Sequence, residues 1–152
     1  MGELEGKVVL VTGASRGIGA AIAKRFGAEG ARVAIAARTM EKHAHLAGSL
    51  VQTAKVIESY GGTAFPIAAD LADSAGLDRL VEQTVSELGP IDILVNNAAA
   101  AFYLPFTKVG EKRFRIANDI NFYAPWRLSQ LVVPSMVERG EGWILNISSA
   151  TS

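Results

Sequence analysis

Residues 7–26 read KVVLVTGASRGIGAAIAKRF, and the fold turns on how this stretch is read. KVVLV, residues 7–11, is a short apolar run of the kind that forms a buried strand. Beyond it Ile18, Ile22 and Phe26 recur every four residues, which predicts a helix with these three on one face. Between the two lie Gly13, Gly17 and Gly19. Glycine tolerates positive φ and lets backbone amides come close to a ligand. A helix opening near Gly17 would aim free N–H groups and its dipole at an anion. The spacing is not that of a Walker loop, because no Gly-Lys-Ser/Thr closes it, and it also departs from G-x-G-x-x-G.

Working outward, the same alternation continues. RVAIAA (32–37) predicts a second strand after the helix stop at Gly30. Residues 38–48 read as loop or a ragged helix start, and SLVQTAKVIESYGG (49–62) as a helix with a serine cap and a glycine end. TAFPIAA (63–69) is a third strand, placed at an edge by Pro66. Residues 74–88 form a helix with Leu77, Leu80, Val81, Val85 and Leu88 as its stripe, ended by Gly89-Pro90. IDILV (91–95) is a fourth strand. Residues 111–138 are helical, interrupted by Pro125 and Pro134, and WILNIS (143–148) is a fifth strand. Strands alternating with helices predict an α/β fold, a doubly wound parallel sheet with right-handed crossovers. No repeat or linker divides it, so residues 1–152 are read as a single domain.

Composition narrows the classes of function. The chain has 15 basic and 15 acidic residues and no cysteine. A neutral chain is a poor phosphate-neutralising nucleic-acid binder, and disulfides and thiolate zinc sites are excluded. Hydrophobic residues make up 49% and mean hydropathy is +0.24, a bias that fully covered parallel strands produce. No run is long enough to span a bilayer and residues 1–7 lack a signal core, so a soluble cytoplasmic protein is expected, without a membrane partner.

Thr12-Gly13-x-x-x-Gly17-x-Gly19 resembles the cofactor fingerprint of the short-chain dehydrogenase/reductase family. Asn96-Asn97-Ala98-Ala99 resembles that family's Asn-Asn-Ala-Gly motif, with Ala99 in place of glycine. Residues 144–149, ILNISS, resemble its serine-bearing fifth strand. The resemblance runs in order through essentially the whole chain and implies a Rossmann-type sheet, here the first five strands of the family fold. It implies a nicotinamide cofactor held by Thr12, Gly13, Ser15, Arg16, Gly17, Ile18 and Gly19. Asp70 and Leu71 would meet the adenine, and Asn97, Ala98 and Ala99 the nicotinamide side. An acid after the second strand would bind the free 2′-hydroxyl of NAD. This chain has Ala37 and then Arg38, and Arg38 with Arg16 suits a 2′-phosphate, so NADP(H) is expected over NAD(H). If the position of Ala99 requires positive φ, the alanine there is strained.

The resemblance also implies hydride transfer between the nicotinamide and an alcohol or carbonyl substrate, a small molecule, with Ser149 and Asn121 among the catalytic groups. Ser148 is the neighbouring alternative, and alternation along a strand would send the two serines to opposite faces. Pro125 has no N–H, so the carbonyl of Asn121 loses its usual helical partner and could hold a water. The family's Tyr-x-x-x-Lys is not found in the 152 residues: Ala64, Thr107 and Arg127 stand four after the three tyrosines. The expectation is a catalytically incomplete fragment of a reductase that forms homo-oligomers. The rival is a non-catalytic NADP(H)-binding module or partner subunit. His43-x-His45 is too poor in ligands for a metal site, and no G-x-S-x-G elbow supports a hydrolase.

Overall fold

The computed structural model describes residues 2–41 and 47–149. Five parallel strands, β1 (Val8–Thr12), β2 (Arg32–Ala37), β3 (Thr63–Ala68), β4 (Ile93–Asn96) and β5 (Trp143–Asn146), form one sheet in the order β3-β2-β1-β4-β5. The helices between them are α1 (Gly17–Ala28), α2 (Leu50–Ser59), α3 (Ser74–Leu88), α4 (Glu111–Asn118) and α5 (Ala124–Arg139). The order reverses at β1, so a crevice opens between the carboxyl ends of β1 and β4, where ligands bind in such sheets.

Strand alternation divides the core. Val9, Val11, Val33, Ile35 and Val95 pack with Leu50, Ala54 and Ile57 of α2 and Ala23 of α1. Val8, Leu10, Ala34 and Leu94 point the other way, onto Leu77 and Leu80 of α3 and Leu128, Val132 and Met136 of α5. Both faces of β1 are therefore dry, which accounts for its unbroken apolar run. α3 and α5 are also joined by Arg127, whose Nε and Nη2 each donate to Asp78 at 3.0 Å. These hydrogen bonds hold the guanidinium pKa above its ordinary value, with burial acting in the opposite direction.

The stop and cap signals are found where the sequence put them. Ser49 Oγ accepts from Gln52 N at 3.0 Å, and Asp73 accepts from Ala75 N at 3.1 Å at the head of α3. β3, with Pro66, is an outer strand. Three expectations change. The fully buried face of α1 is Gly19, Ala20, Ala23 and Gly27; of the three residues at helical spacing Ile22 and Phe26 pack partly buried against the core, whereas Ile18 is 63% exposed. Small residues let the helix lie close to the sheet, so closeness of approach decides the face and side-chain size does not. β5 ends at Asn146, so strand alternation does not assign faces to Ser148 and Ser149. The long helical region is split by a π turn over Asp119–Tyr123, where Ala124 N donates to Asp119 O. This wide turn stands just before Pro125, which has no N–H to give to the carbonyl four residues back. Pro134 is accommodated inside α5. His43 and His45 lie outside the described residues.

Ile57→Ala should lower the unfolding free energy by about 2–5 kcal/mol, because it empties a fully buried site. Ile18→Ala should stay within about 0.5 kcal/mol. Urea denaturation of the two variants checks that Ile57 of α2 is a core site and that Ile18 of α1 is not.

Candidate cofactor site

The crevice is closed at its base by hydrogen bonds between the β1–α1 turn and the segment after β4. The Thr12 hydroxyl accepts from Asn97 N at 3.0 Å and Ala98 N at 3.1 Å and donates to Val95 O at 3.3 Å. In return Asn97 Nδ2 donates to Thr12 O at 3.0 Å and Gly13 O at 3.3 Å. Thr12 is 2% exposed, so its hydroxyl would be costly without partners.

The glycines divide into two kinds. Gly13 has φ +68°, and a Cβ there would stand 2.8 Å from Ala98 Cα and 3.0 Å from Asn97 Nδ2. A Cβ on Gly19 would collide with Asn97 Nδ2 and Gly13 O. These two permit the close approach of turn, helix and β4. Gly17 also has positive φ, +56°, but nothing lies within 4 Å of where its Cβ would be. It faces open space at the first turn of α1, which has neither a side-chain cap nor an acidic residue. Backbone N–H groups beside an open space of this kind can receive a phosphate.

Other residues brace the turn. Ala14 N donates to Ala36 O at 3.0 Å, and Thr53 Oγ1 of α2 donates to Ala14 O at 3.0 Å. Ser15 is buried, and Arg16 Nε donates to its Oγ at 3.4 Å. Arg38 is exposed just past the end of β2. Asp70 is exposed after β3, and its Oδ1 accepts from Ala72 N at 3.0 Å. It shares with Ile67, Ala69 and Arg79 the lining of a cleft of about 170 Å³, and the neighbouring Leu71 is buried. A larger cleft, about 420 Å³, lies at the amino ends of β1, β2 and β3 among Gly2, Gly30 and Gly62. It is away from the carboxyl ends of the strands and is not a candidate.

Ala99 is not strained, since no described residue other than glycine has positive φ. Asn121 is not simply a helix residue. Its Oδ1 accepts from Ala100 N and its Nδ2 donates to Ala100 O, both at 2.8 Å. The amide thus pairs with the loop backbone as a neighbouring strand would. Ser148 and Ser149 are exposed just beyond β5, which Ile147 N ties to Asn96 O at 2.9 Å. Sequence reading missed the roles of Thr53 and Asn96. Asn96 Nδ2 donates to Asn146 Oδ1 at 2.9 Å across β4 and β5. Aligning VNN with LNI as parallel neighbours would have found that pair, whereas nothing in the sequence marks Thr53. Among the described residues no group of His, Asp or Glu could hold a metal ion, and no helix is long and apolar enough to cross a membrane.

The family model for short chain dehydrogenase matches residues 7–152. Hydroxysteroid dehydrogenase-like protein 2 of Mus musculus is 40% identical over 97% of this chain and 30% of its own length. A fatty acyl-CoA reductase of Mycobacterium tuberculosis is 39% identical over 97% of this chain and 48% of its own. The chain thus spans less than half the length of these curated relatives. Among solved structures, a short chain dehydrogenase of Mycobacterium thermoresistibile superposes with TM-score 0.91 at 41% identity, covering 99% of this chain and 54% of that one. A metagenomic short-chain oxidoreductase in complex with NADP superposes with TM-score 0.88 at 37% identity, covering 97% and 64%. A 7α-hydroxysteroid dehydrogenase complexed with NADH gives TM-score 0.87 at 36% identity, covering 96% and 54%.

Thr12→Val should destabilise the protein by about 2–3 kcal/mol, since it strands two amide donors in a buried place. Thr12→Ser should recover most of the loss. Denaturation midpoints of the two variants check whether the hydroxyl, rather than the methyl, holds the turn.

Proposed function

Because the chain belongs to the short chain dehydrogenase family, we propose that it is the cofactor-binding portion of an NADP(H)-dependent oxidoreductase acting on an alcohol or carbonyl compound. The observation that carries this reading is the open space at Gly17, at the head of an uncapped helix, with Gly13 and Gly19 packed against Asn97 beneath it. A pyrophosphate fits such a place, and one solved relative of the same fold is in complex with NADP and another with NADH.

The choice of NADP(H) rests on this chain's own residues. The position after β2 holds Arg38, exposed, and no carboxylate precedes it. Arg38 and Arg16 would pair with the 2′-phosphate, Asp70 and Leu71 would border the adenine, and Thr12, Ser15 and Ile18 would complete the phosphate turn. Asn97, Ala98 and Ala99 would border the nicotinamide ribose. When bound, the cofactor supplies or takes up the hydride. Ser149 would hold the substrate oxygen by its hydroxyl. Asn121 would act in two ways: its side chain fixes the loop at Ala100, and its carbonyl, opposite Pro125, would hold a water of the proton path. A proton donor of the Tyr-x-x-x-Lys kind would come from outside these 152 residues.

A second reading is an NADP(H)-binding module or subunit without catalysis. The two readings separate on one experiment. NADPH fluorescence should report binding by this chain, with turnover of carbonyl compounds appearing only when the protein from its natural source carries a Tyr-x-x-x-Lys helix. A natural protein of 16.1 kDa that binds NADPH without turnover would favour the module. A chain that binds neither NADPH nor NADH would overturn both. Arg38→Ala should weaken NADPH binding by about tenfold or more and leave NADH binding within about twofold, a difference expected from the loss of a charge-assisted pair. Titration with both cofactors checks it.

A further inference from the structure

Two threonines are buried inside helices, and they use their hydroxyls differently. Thr84 of α3 donates to Leu80 O, four residues back in its own helix, at 2.8 Å. That is the usual resort of a buried helical threonine. Thr53 of α2 is 2% exposed, among Leu50, Ala54 and Ile57, but its Oγ1 leaves the helix and donates to Ala14 O at 3.0 Å. A valine would fill the same volume in this apolar place. The hydroxyl is therefore accounted for by the bond it makes to the turn after β1.

That bond completes the fixing of Ala14. Ala14 N donates to Ala36 O at 3.0 Å, so one polar group of this fully buried residue is tied to the end of β2 and the other to α2. From Ala14 the chain passes through Ser15 and Arg16 into α1. The peptide joining Ala14 to Ser15 is planar and trans, so its C=O and N–H point in opposite directions. With the carbonyl held on α2, the Ser15 N–H is turned away from α2. Among the described residues that N–H makes no hydrogen bond, although Ser15 is buried. A buried amide of this kind calls for a partner from outside the chain's own backbone. The head of α2 also comes close: a Cβ on Gly48 would stand 2.5 Å from Ser15 O. The turn is thus gripped from two sides, by Asn97 after β4 and by α2.

We propose that Thr53 is a positioning residue for the cofactor: through Ala14 O its hydroxyl holds the turn after β1 so that the Ser15 N–H and the open head of α1 face the pyrophosphate. This rests on the cofactor reading above and adds to that site a helix that otherwise packs one face of the sheet.

The test is titration of NADPH and NADH into the wild-type chain and three variants, each shown by circular dichroism to be folded at the temperature used. Thr53→Val should weaken both cofactors by about tenfold, and by the same factor, because the pyrophosphate is common to them. Thr53→Ser should bind both within about twofold of the wild type. Ile57→Val removes a methylene from the far end of α2 and destabilises the same helix without touching the turn. It should leave both affinities unchanged, which separates positioning from loss of stability. If Thr53→Val does not fold, Thr53→Cys, a weaker donor, takes its place and should weaken both cofactors about threefold or more. The inference is overturned if the valine variant, or the cysteine variant in its place, binds as the wild type does, or if serine does not rescue. It is overturned equally if Ile57→Val weakens binding as much as Thr53→Val, since the hydroxyl then serves stability alone, or if NADPH alone is weakened, since the effect then lies at the 2′-phosphate. Wild-type protein that binds neither cofactor would overturn the cofactor reading itself, and the role of Thr53 with it.

Discussion

The structure depends on how closely three pieces of backbone meet at the switch point: the turn after β1, the head of α1 and the end of β4. They come within van der Waals distance only because Gly13 and Gly19 carry no side chain. Once they meet, hydrogen bonds hold them, with Thr12 and Asn97 each serving the other's backbone. Satisfying these polar groups internally matters because the region is largely shut off from water. The close approach has a second effect. It pulls α1 onto the sheet through Ala20, Ala23 and Gly27, and its first turn is left facing outward with free N–H groups. The same constraint therefore packs one face of the sheet and prepares the place proposed for the phosphates.

Much of this could be read from the sequence because local signals and tertiary demands agree. The apolar run of β1 follows from cover on both its faces, and α2 and α3 start at local caps, Ser49 and Asp73. Reading failed where the tertiary constraint ran against size. Ile18, Ile22 and Phe26 have helical spacing, but Ile22 and Phe26 only flank the core and Ile18 is exposed, while the smallest residues of α1 are the fully buried ones. A hydrophobic pattern reports affinity for a core, not the distance at which two backbones must pack. The π turn at Asp119–Tyr123 was legible only as an interruption, because Pro125 tells that a bond is lost and not how the helix rearranges. The Asn96–Asn146 pair depends on register between strands about fifty residues apart, and Thr53 on the angle of α2. Neither carries a local mark.

The two outer strands of the sheet differ in a way that follows from their composition. β3 carries Pro66 at its outer edge and packs against α2 and α3, which leave only its two end residues, Thr63 and Ala68, exposed. β5 is apolar, yet all four of its residues are exposed. Lys7 lies over the Trp143 ring at 5.4 Å and pairs with Glu141 at 2.8 Å, which shields one end only. Parallel strands with apolar residues on both faces are stable when both faces are covered, and an unpaired apolar edge invites strand pairing. Within these residues β5 is thus the least protected part of the sheet, and it is held chiefly by its backbone ladder to β4 and by the two asparagines at its end.

That arrangement separates two kinds of segment. The proposed cofactor site is made of backbone: N–H groups of a helix head, glycines that admit a phosphate, and carbonyls locked by Asn97. Such a site tolerates little displacement, because Gly13 and Gly19 leave no room between the turn, α1 and the segment after β4. The segment from Ala99 onward is different. Its attachment to the rest is the pair of bonds from Asn121, an amide standing in for a strand neighbour, and past Ala100 its side chains stand in water. The π turn sets that amide at the loop, since a regular helix would rotate the residues after Asp119 differently about its axis. Irregularity in the helix therefore fixes the start of this segment relative to the glycine turn, while the side chains just beyond Ala100 are exposed and can change without disturbing the packing of the core.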